Sequence, residues 1–259
     1  MISRCWWLFL GLLAMPAVRA EEAWQSSAYL QQAFFEVALH NEYTGGEQPV
    51  RKWQQPIRVW LEHHADQAQA EQHALLTKYH MQHLSRITGH PIVFVTSRQE
   101  ANFMVVFSHL QLWRNDIALV SGNLLIKPPA DAACVFGLDL DDKKAIKKAW
   151  VVIPVDLAQE HRQLLSCIVE ETTQAMGLPN DSEKVFPSIF NDKTPESLLT
   201  GLDALLLKML YAPAVKPCMR SHQVRPVLDK LLKQWQNDGT IQDAERNVRQ
   251  SELYEMMGF

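Results

Sequence analysis

The sequence predicts a domain of helices packed on a mixed β-sheet, α+β or α/β in class. Short runs rich in β-branched and aromatic residues cluster in the middle of the chain. Long stretches with helical apolar spacing flank them on both sides. The composition of the 259 residues, 47% hydrophobic and 21% charged, is that of a globular protein with no repeat and no low-complexity stretch.

Taken in order, the chain opens MISRCWWLFLGLLAMPAVRAEEAW. Arg4 gives a positive start, and Cys5 to Val18 is apolar but short for a membrane span. Val18 and Ala20 occupy the small-residue positions before a cleavage point, with Glu21 and Glu22 after it. This pattern predicts an export signal over residues 1–20, and a periplasmic or secreted mature protein. Cys5 lies too early to be the lipidated first residue of the mature chain. No second apolar run is long enough to predict a membrane span after cleavage.

Residues 26–43 carry Leu30, Phe34, Val37 and Ala38 at helical spacing, and TGGEQP (44–49) breaks the pattern. PIRVWLEH (56–63) reads as a strand. Residues 66–87 read as a long helix with apolar Ala70, Ala74, Leu75, Tyr79, Met81 and Leu84, ended by TGHP (88–91). IVFVTS (92–97) and FMVVFSHL (103–110) are strand-like. Two more strands surround a polar turn at Asp141 to Lys144, the second spanning Trp150 to Val155. Residues 160–176 form a helix with Leu164, Leu165, Ile168, Thr172, Ala175 and Met176 on one side, stopped by Gly177. An irregular loop (179–195) leads to a helix over 195–211, with Pro195 in its first turn. Val224, Val227, Leu228, Leu231, Leu232 and Trp235 then line one stripe of a further helix. The tail from Thr240 is polar and charged, a surface helix or a frayed end.

The formal charge of −4 becomes more negative when Arg4 and Arg19 leave with the leader. A mildly acidic surface argues against nucleic acid as a partner, because phosphate binding needs a basic face. Beyond the leader three cysteines remain, Cys134, Cys167 and Cys218. In an exported chain an odd count leaves one disulfide with one free thiol, or an intermolecular bond, and any of three pairings is open.

The chemistry-bearing stretch is CIVEETTQAMGLPND, residues 167–181. On a helix, Cys167, Glu170, Glu171 and Gln174 share a face next to the apolar stripe. Zinc peptidases use this spacing in HExxH, where two histidines bind the metal and the glutamate activates water. Here the window is Glu170-Glu171-Thr172-Thr173-Gln174, with the glutamate kept as Glu171 and both histidine positions replaced. Metzincins extend the motif with a glycine and a third ligand. Gly177 falls on the glycine, Asn180 on the ligand, and Asp181 stands beside it. SIFND (188–192) is similar to the methionine-containing turn of those enzymes with Phe190 in the methionine position. The helix through Asp203 to Leu210-Tyr211 is similar to the last helix of the matrixin type.

On these residues the chain resembles a metzincin-like (matrixin-type) family of exported bacterial proteins of unknown function, in which the zinc motif reads EExxQxxGLxND. The resemblance covers roughly residues 25–220. It implies a zincin-like mixed sheet packed against a long helix and an active-site-type helix, with C-terminal helices. It divides the chain into a leader (1–20), a metzincin-like domain (21–220) and a C-terminal helical extension (221–259). It also implies a Cys134–Cys167 disulfide, because such a fold sets the strand near Cys134 beside the site helix. Cys218 stands where the family has glycine, which makes it the odd thiol.

Ligand chemistry argues against a working zinc centre. Zinc prefers imidazole and thiolate, and the amides of Gln174 and Asn180 are poor ligands. Glu170, Gln174 and Asp181 could offer oxygens to zinc or to a hard divalent cation, but fewer than calcium usually takes. No cofactor is therefore expected, and a hydrogen-bonded network of Glu170, Glu171, Gln174, Asn180 and Asp181 is. Glu171, bordering the apolar stripe, should be at least partly buried.

His63 and His64 end the first strand, while His73, His80 and His83 lie on the long helix. At these spacings helix histidines are read as surface residues rather than a metal cluster. Lys143, Lys144, Lys147 and Lys148 read as a solvated sheet edge, or as a contact for an anionic envelope polymer. The leading functional expectation is a catalytically degenerate envelope component that holds a peptide or partner protein in the old substrate cleft. The alternatives are a metal-dependent hydrolase with Glu171 as general base, and a structural envelope protein assembling through its C-terminal helices.

Overall fold

The computed structural model describes residues 22–40, 46–123, 126, 132–191, 193 and 196–259. The leader of residues 1–20 and parts of the TGGEQP, SIFND and Pro195 readings lie outside the described residues.

The chain forms a mixed α/β fold. Helix α1 (Ser27–Ala38) starts at Ser26, whose hydroxyl accepts from the Tyr29 amide. A two-residue strand, β1 (Lys52–Trp53), follows, then β2 (Ile57–His63) and the long helix α2 (Ala70–Thr88). Helix α2 ends at Gly89 in the left-handed conformation, as the TGHP signal predicts. Strands β3 (Ile92–Phe94) and β4 (Phe103–Ser108) follow, then helix α3 (Trp113–Ser121). Next come β5 (Val135–Leu140), β6 (Ala145–Pro154), α4 (Val155–Glu160) and α5 (Leu164–Gln174). Helices α6 (Gly201–Tyr211), α7 (Ser221–Asn237), α8 (Ala244–Val248) and α9 (Glu252–Met257) complete the chain.

The sheet runs β3-β2-β4-β6, with β1 beside the first two residues of β6. These pairings are all parallel. Strand β5 alone is antiparallel, paired with β6 from Val135↔Val152 to Asp139↔Lys148.

Side-chain alternation assigns the two faces of the sheet. Ile57, Val59, Phe103, Val105, Phe107, Val151 and Ile153 belong to the main core with α1, α2, α5 and α6. Val106, Trp150 and Val152 point the other way, into a smaller core under Trp113 and Ile117 of α3. Gly137 on β5 makes room for the Trp150 indole, since an added Cβ would come within 2.2 Å of that ring. Lys143, Lys144, Lys147 and Lys148 are all exposed around the β5–β6 turn.

Several expected boundaries move. The second hairpin strand begins at Ala145 rather than Trp150, because Ala145, Ile146 and Ala149 are buried while Lys147 and Lys148 face solvent. The helix expected over 160–176 is α5 alone, with Arg162 (φ 59) separating it from α4. The helix expected from 195 starts at Gly201, where Thr200 and Asp203 form a reciprocal N-terminal cap. Helix α3 was not anticipated, its apolar residues being interrupted by Arg114, Asn115 and Asp116. The tail is neither frayed nor a surface helix only: Ile241, Ala244, Val248, Leu253 and Tyr254 are buried in the main core. The helix histidines are not surface residues either, since His73, His80 and His83 are all buried. Burial needs the neutral ring, and desolvation lowers the pKa of His73 to about 4 and of His80 to about 3.

Cys134, just before β5, is bonded to Cys167 in α5, and Cys218 is the free thiol among the described residues. Cys218 sits at φ 70, in the region that favours glycine, the residue the resemblance places there. The disulfide closes a loop with a sequence separation of 33 residues. Chain entropy sets the cost of its loss at about 4 kcal/mol. The Cys134→Ser/Cys167→Ser double variant is expected to lose about that stability in urea unfolding. An unchanged midpoint would mean that packing alone aligns β5 with α5.

Candidate functional site

Helix α5 packs on β5 and β6 on one side and on α2 on the other. Two contacts fix its position from within the core. The Thr173 hydroxyl donates to the Val169 carbonyl at 2.6 Å, so His80 Nε2, 3.0 Å away, donates to it in turn. The His80 ring is thereby held in one tautomer, with Nδ1 buried and without a hydrogen-bond partner among the described residues. At the other end of α5, the freed carbonyls of the last turn find side-chain donors from elsewhere in the fold. Trp53 Nε1 donates to the Ala175 carbonyl at 2.9 Å, and the Tyr211 hydroxyl to the Met176 carbonyl at 2.9 Å.

Gly177 then turns the chain with φ +115. A Cβ at this position would lie 2.1 Å from the Arg51 carbonyl oxygen. Glycine is required here twice over, by backbone conformation and by close approach. The turn brings Asn180 and Asp181 back toward the helix. Gln174 Nε2 donates to both oxygens of Asp181, at 2.9 and 3.1 Å. Asn180 is directed elsewhere, its amide donating to the Glu36 carbonyl of α1 and to the Asp181 carbonyl, both at 2.9 Å. Glu36 is also drawn in, pairing with Lys184 at 2.9 Å.

Of the residues singled out in the sequence, Glu171, Gln174 and Asn180 are buried, and Glu170 and Asp181 are half-buried. Glu170, Glu171 and Asp181 all have interaction partners in the fold. Gln174 and Asp181 meet directly; Asn180 reaches α1 instead of Gln174. The side chains that could lend oxygens to a cation are thus engaged with the protein. Among the described residues, no three or more His, Cys, Asp or Glu side chains are grouped to hold a metal ion.

Beneath this region Asp203 organises the loop that precedes α6. It accepts from Ser188 Oγ at 2.5 Å, the Ile189 amide at 3.2 Å, and the Thr200 amide at 2.8 Å. Burial pushes its carboxyl up to about 6 against the pull of those donors. Phe190 packs fully buried in the core. The SIF segment is therefore tied to α6 by one carboxylate.

A second polar cluster was only half legible. Imidazole His64 lies between two carboxylates, with Nδ1 3.0 Å from Asp116 Oδ1 and Nε2 3.0 Å from Glu62 Oε1. Only the doubly protonated ring donates to both. Ser108 donates to the other oxygen of Asp116. The cluster joins the ends of β2 and β4 to α3, and the unread helix concealed Asp116. Nearby, His63 Nε2 and His73 Nδ1 are 3.0 Å apart and stack on Phe107.

Two predictions follow from these geometries. Gly177→Ala is expected to cost about 3 kcal/mol or more in chemical unfolding, through strain and backbone collision. Retention of full stability would show that the turn can open without loss. For His64, burial pulls the ring's pKa down, but the hydrogen bonds and charges of Asp116 and Glu62 outweigh it and raise the pKa. The stabilisation is then complete below the ordinary histidine pKa and lost as pH rises through the raised value. His64→Gln is expected to flatten that loss of stability on the alkaline side of about 6.5. An identical pH profile in wild type and variant would remove the charged bridge.

Comparison with known proteins adds the family. No curated protein and no solved structure matches the chain. Residues 27–230 match the family described as Protein of unknown function (DUF2927), a span from the start of α1 into α7. By that match over most of its length, the chain belongs to the DUF2927 family.

Proposed function

We propose that this chain is an exported, metzincin-like protein that does not hydrolyse peptides and holds an extended peptide or protein segment instead. The observation that carries the reading is the Gln174–Asp181 pair with Asn180 turned to α1. At two of the positions where the resembling peptidases present imidazoles to zinc, this protein presents the amides of Gln174 and Asn180, which bond within the fold, and the third position holds the carboxylate of Glu170. Glu171 keeps the place of the general base, but a carboxylate without a Lewis acid is a weak activator of water.

The proposed binding edge is β5. It is the antiparallel strand of the sheet, paired to β6 and anchored to α5 through Cys134–Cys167. An extended peptide could add to it as a further strand, with main-chain hydrogen bonds supplying affinity. Half-buried Phe136 and Leu138 stand on that strand. An antiparallel edge strand beside the site helix also accords with the zincin-like reading.

The test combines metal analysis, proteolysis and binding on protein purified without chelator or added metal. Expected are no stoichiometric zinc, no casein cleavage, and capture of extended peptides from a random library. Capture should survive Glu171→Gln and fail when alternate backbone amides of the captured peptide are N-methylated. One zinc per chain with casein cleavage abolished in Glu171→Gln would establish the hydrolase instead. Capture indifferent to N-methylation would exclude strand addition.

A further inference from the structure

A separate cleft of about 200 Å³ opens between α2, α6 and the segment of α8. Its apolar wall includes Ile87, Leu205 and Val248. Set into that wall is His83, only 4% exposed and without a hydrogen-bond partner among the described residues. Asn247 and Gln250 also line the cleft, and their side chains make no hydrogen bond among the described residues. Two cations border it. Arg86 is already neutralised by its two hydrogen bonds to Glu252. Lys208 makes no ion pair within 4 Å among the described residues, although its charge is felt by Asp238.

Convergent donors around an apolar wall are the usual make-up of a small-molecule site. The charge count specifies the ligand further. With the Arg86–Glu252 pair neutral, Lys208, which has no carboxylate within 4 Å among the described residues and acts on Asp238 only at longer range, is the cation left to meet a ligand, which suits a monoanion. A phosphate dianion would find too few cations and a wall it cannot use. A volume of 200 Å³ equals the share of about seven water molecules in the liquid.

We propose that this cleft binds a small organic carboxylate, a head group on an apolar body of a few carbons. Lys208 and the amides of Asn247 and Gln250 would receive the carboxylate, and Ile87, Leu205 and Val248 the body. His83 is neutral at physiological pH because burial, and secondarily the Arg86 charge, lower its pKa to about 4. In that state one ring nitrogen donates, and it can donate to the incoming oxygen. A bound carboxylate raises the proton affinity of the ring, beside the existing influences of Arg86, Glu252 and His80.

The experiment titrates the full chain with hexanoate, hexanol and inorganic phosphate while following the histidine ring signals by NMR. Hexanoate is expected to give a saturable shift at His83, with hexanol and phosphate giving none. Lys208→Met, a substitution at the partly exposed rim, should weaken hexanoate by about tenfold while the far-ultraviolet spectrum is unchanged. His83 should titrate at higher pH when hexanoate is saturating. His83→Phe should weaken binding by removing the ring donor, and because that variant risks the fold, Lys208→Met decides if it fails to fold. No saturable shift, equal binding of hexanol, preferential binding of phosphate, or full affinity in Lys208→Met would each overturn the proposal.

Discussion

The contact on which the site depends is the approach of the turn after α5 to the segment that leads into β1. Gly177 passes so close to the Arg51 carbonyl that no side chain fits between them. The next two residues of that strand segment complete the arrangement. Trp53 caps the last turn of α5, while the buried Lys52 ammonium donates to the Leu210 and Val215 carbonyls at 2.8 and 3.0 Å. Helix C-termini carry unpaired carbonyls and a partial negative charge, so two buried ends need donors supplied from outside. Strand β1 supplies one to each. Tyr211 closes the set, its hydroxyl on the Met176 carbonyl and its ring 5.1 Å from the Lys52 ammonium.

Lys52 shows how closely these groups are held. Burial, and to a lesser degree the charge of Lys216, lowers its pKa to about 8. A lysine is retained in such a place because both carbonyls would otherwise be stranded in the core. Between the clamped ends of α5 and α6, side chains hold several described points of the connecting loop. Asp203 gathers its SIF segment, Asn180 ties it to α1, and Gln174 meets Asp181. Within the site Gln174 and Asp181 satisfy each other, and Asn180 satisfies backbone carbonyls of Glu36 and Asp181.

Two clusters outside this site have different physics. At the ends of β2 and β4, burial works against the charged form of His64, but the two carboxylates around it outweigh burial and raise its pKa. On the inner face of α2, His73, His80 and His83 are neutral because burial forbids the charge. The same residue type is pushed in opposite directions by its surroundings alone. Position along the sequence could not distinguish them. His80 and His83 look polar in a helical pattern, and only the contact of α2 with α5 and α6 buries them.

Apolar periodicity was enough to place β2, β4, α1, α2 and α7, where one face is buried over several turns or several alternations. It misplaced α6 at its start, because Leu198 and Leu199 extend the apolar pattern past the true cap at Thr200. It missed α3, whose short apolar face serves a second core that no local pattern announces. In the site, the E-E-x-x-Q helix, Gly177 and the Asn180–Asp181 pair were legible because helix spacing and glycine chemistry are local. What the tertiary structure decided is which of those groups meet. Asn180 turns to α1 and not to Gln174, and Trp53 and Lys52, two residues of an unread strand, secure the helix ends. Such pairings join residues more than a hundred positions apart. Their geometry is set by the packing of whole elements, and a linear sequence carries no distance between them.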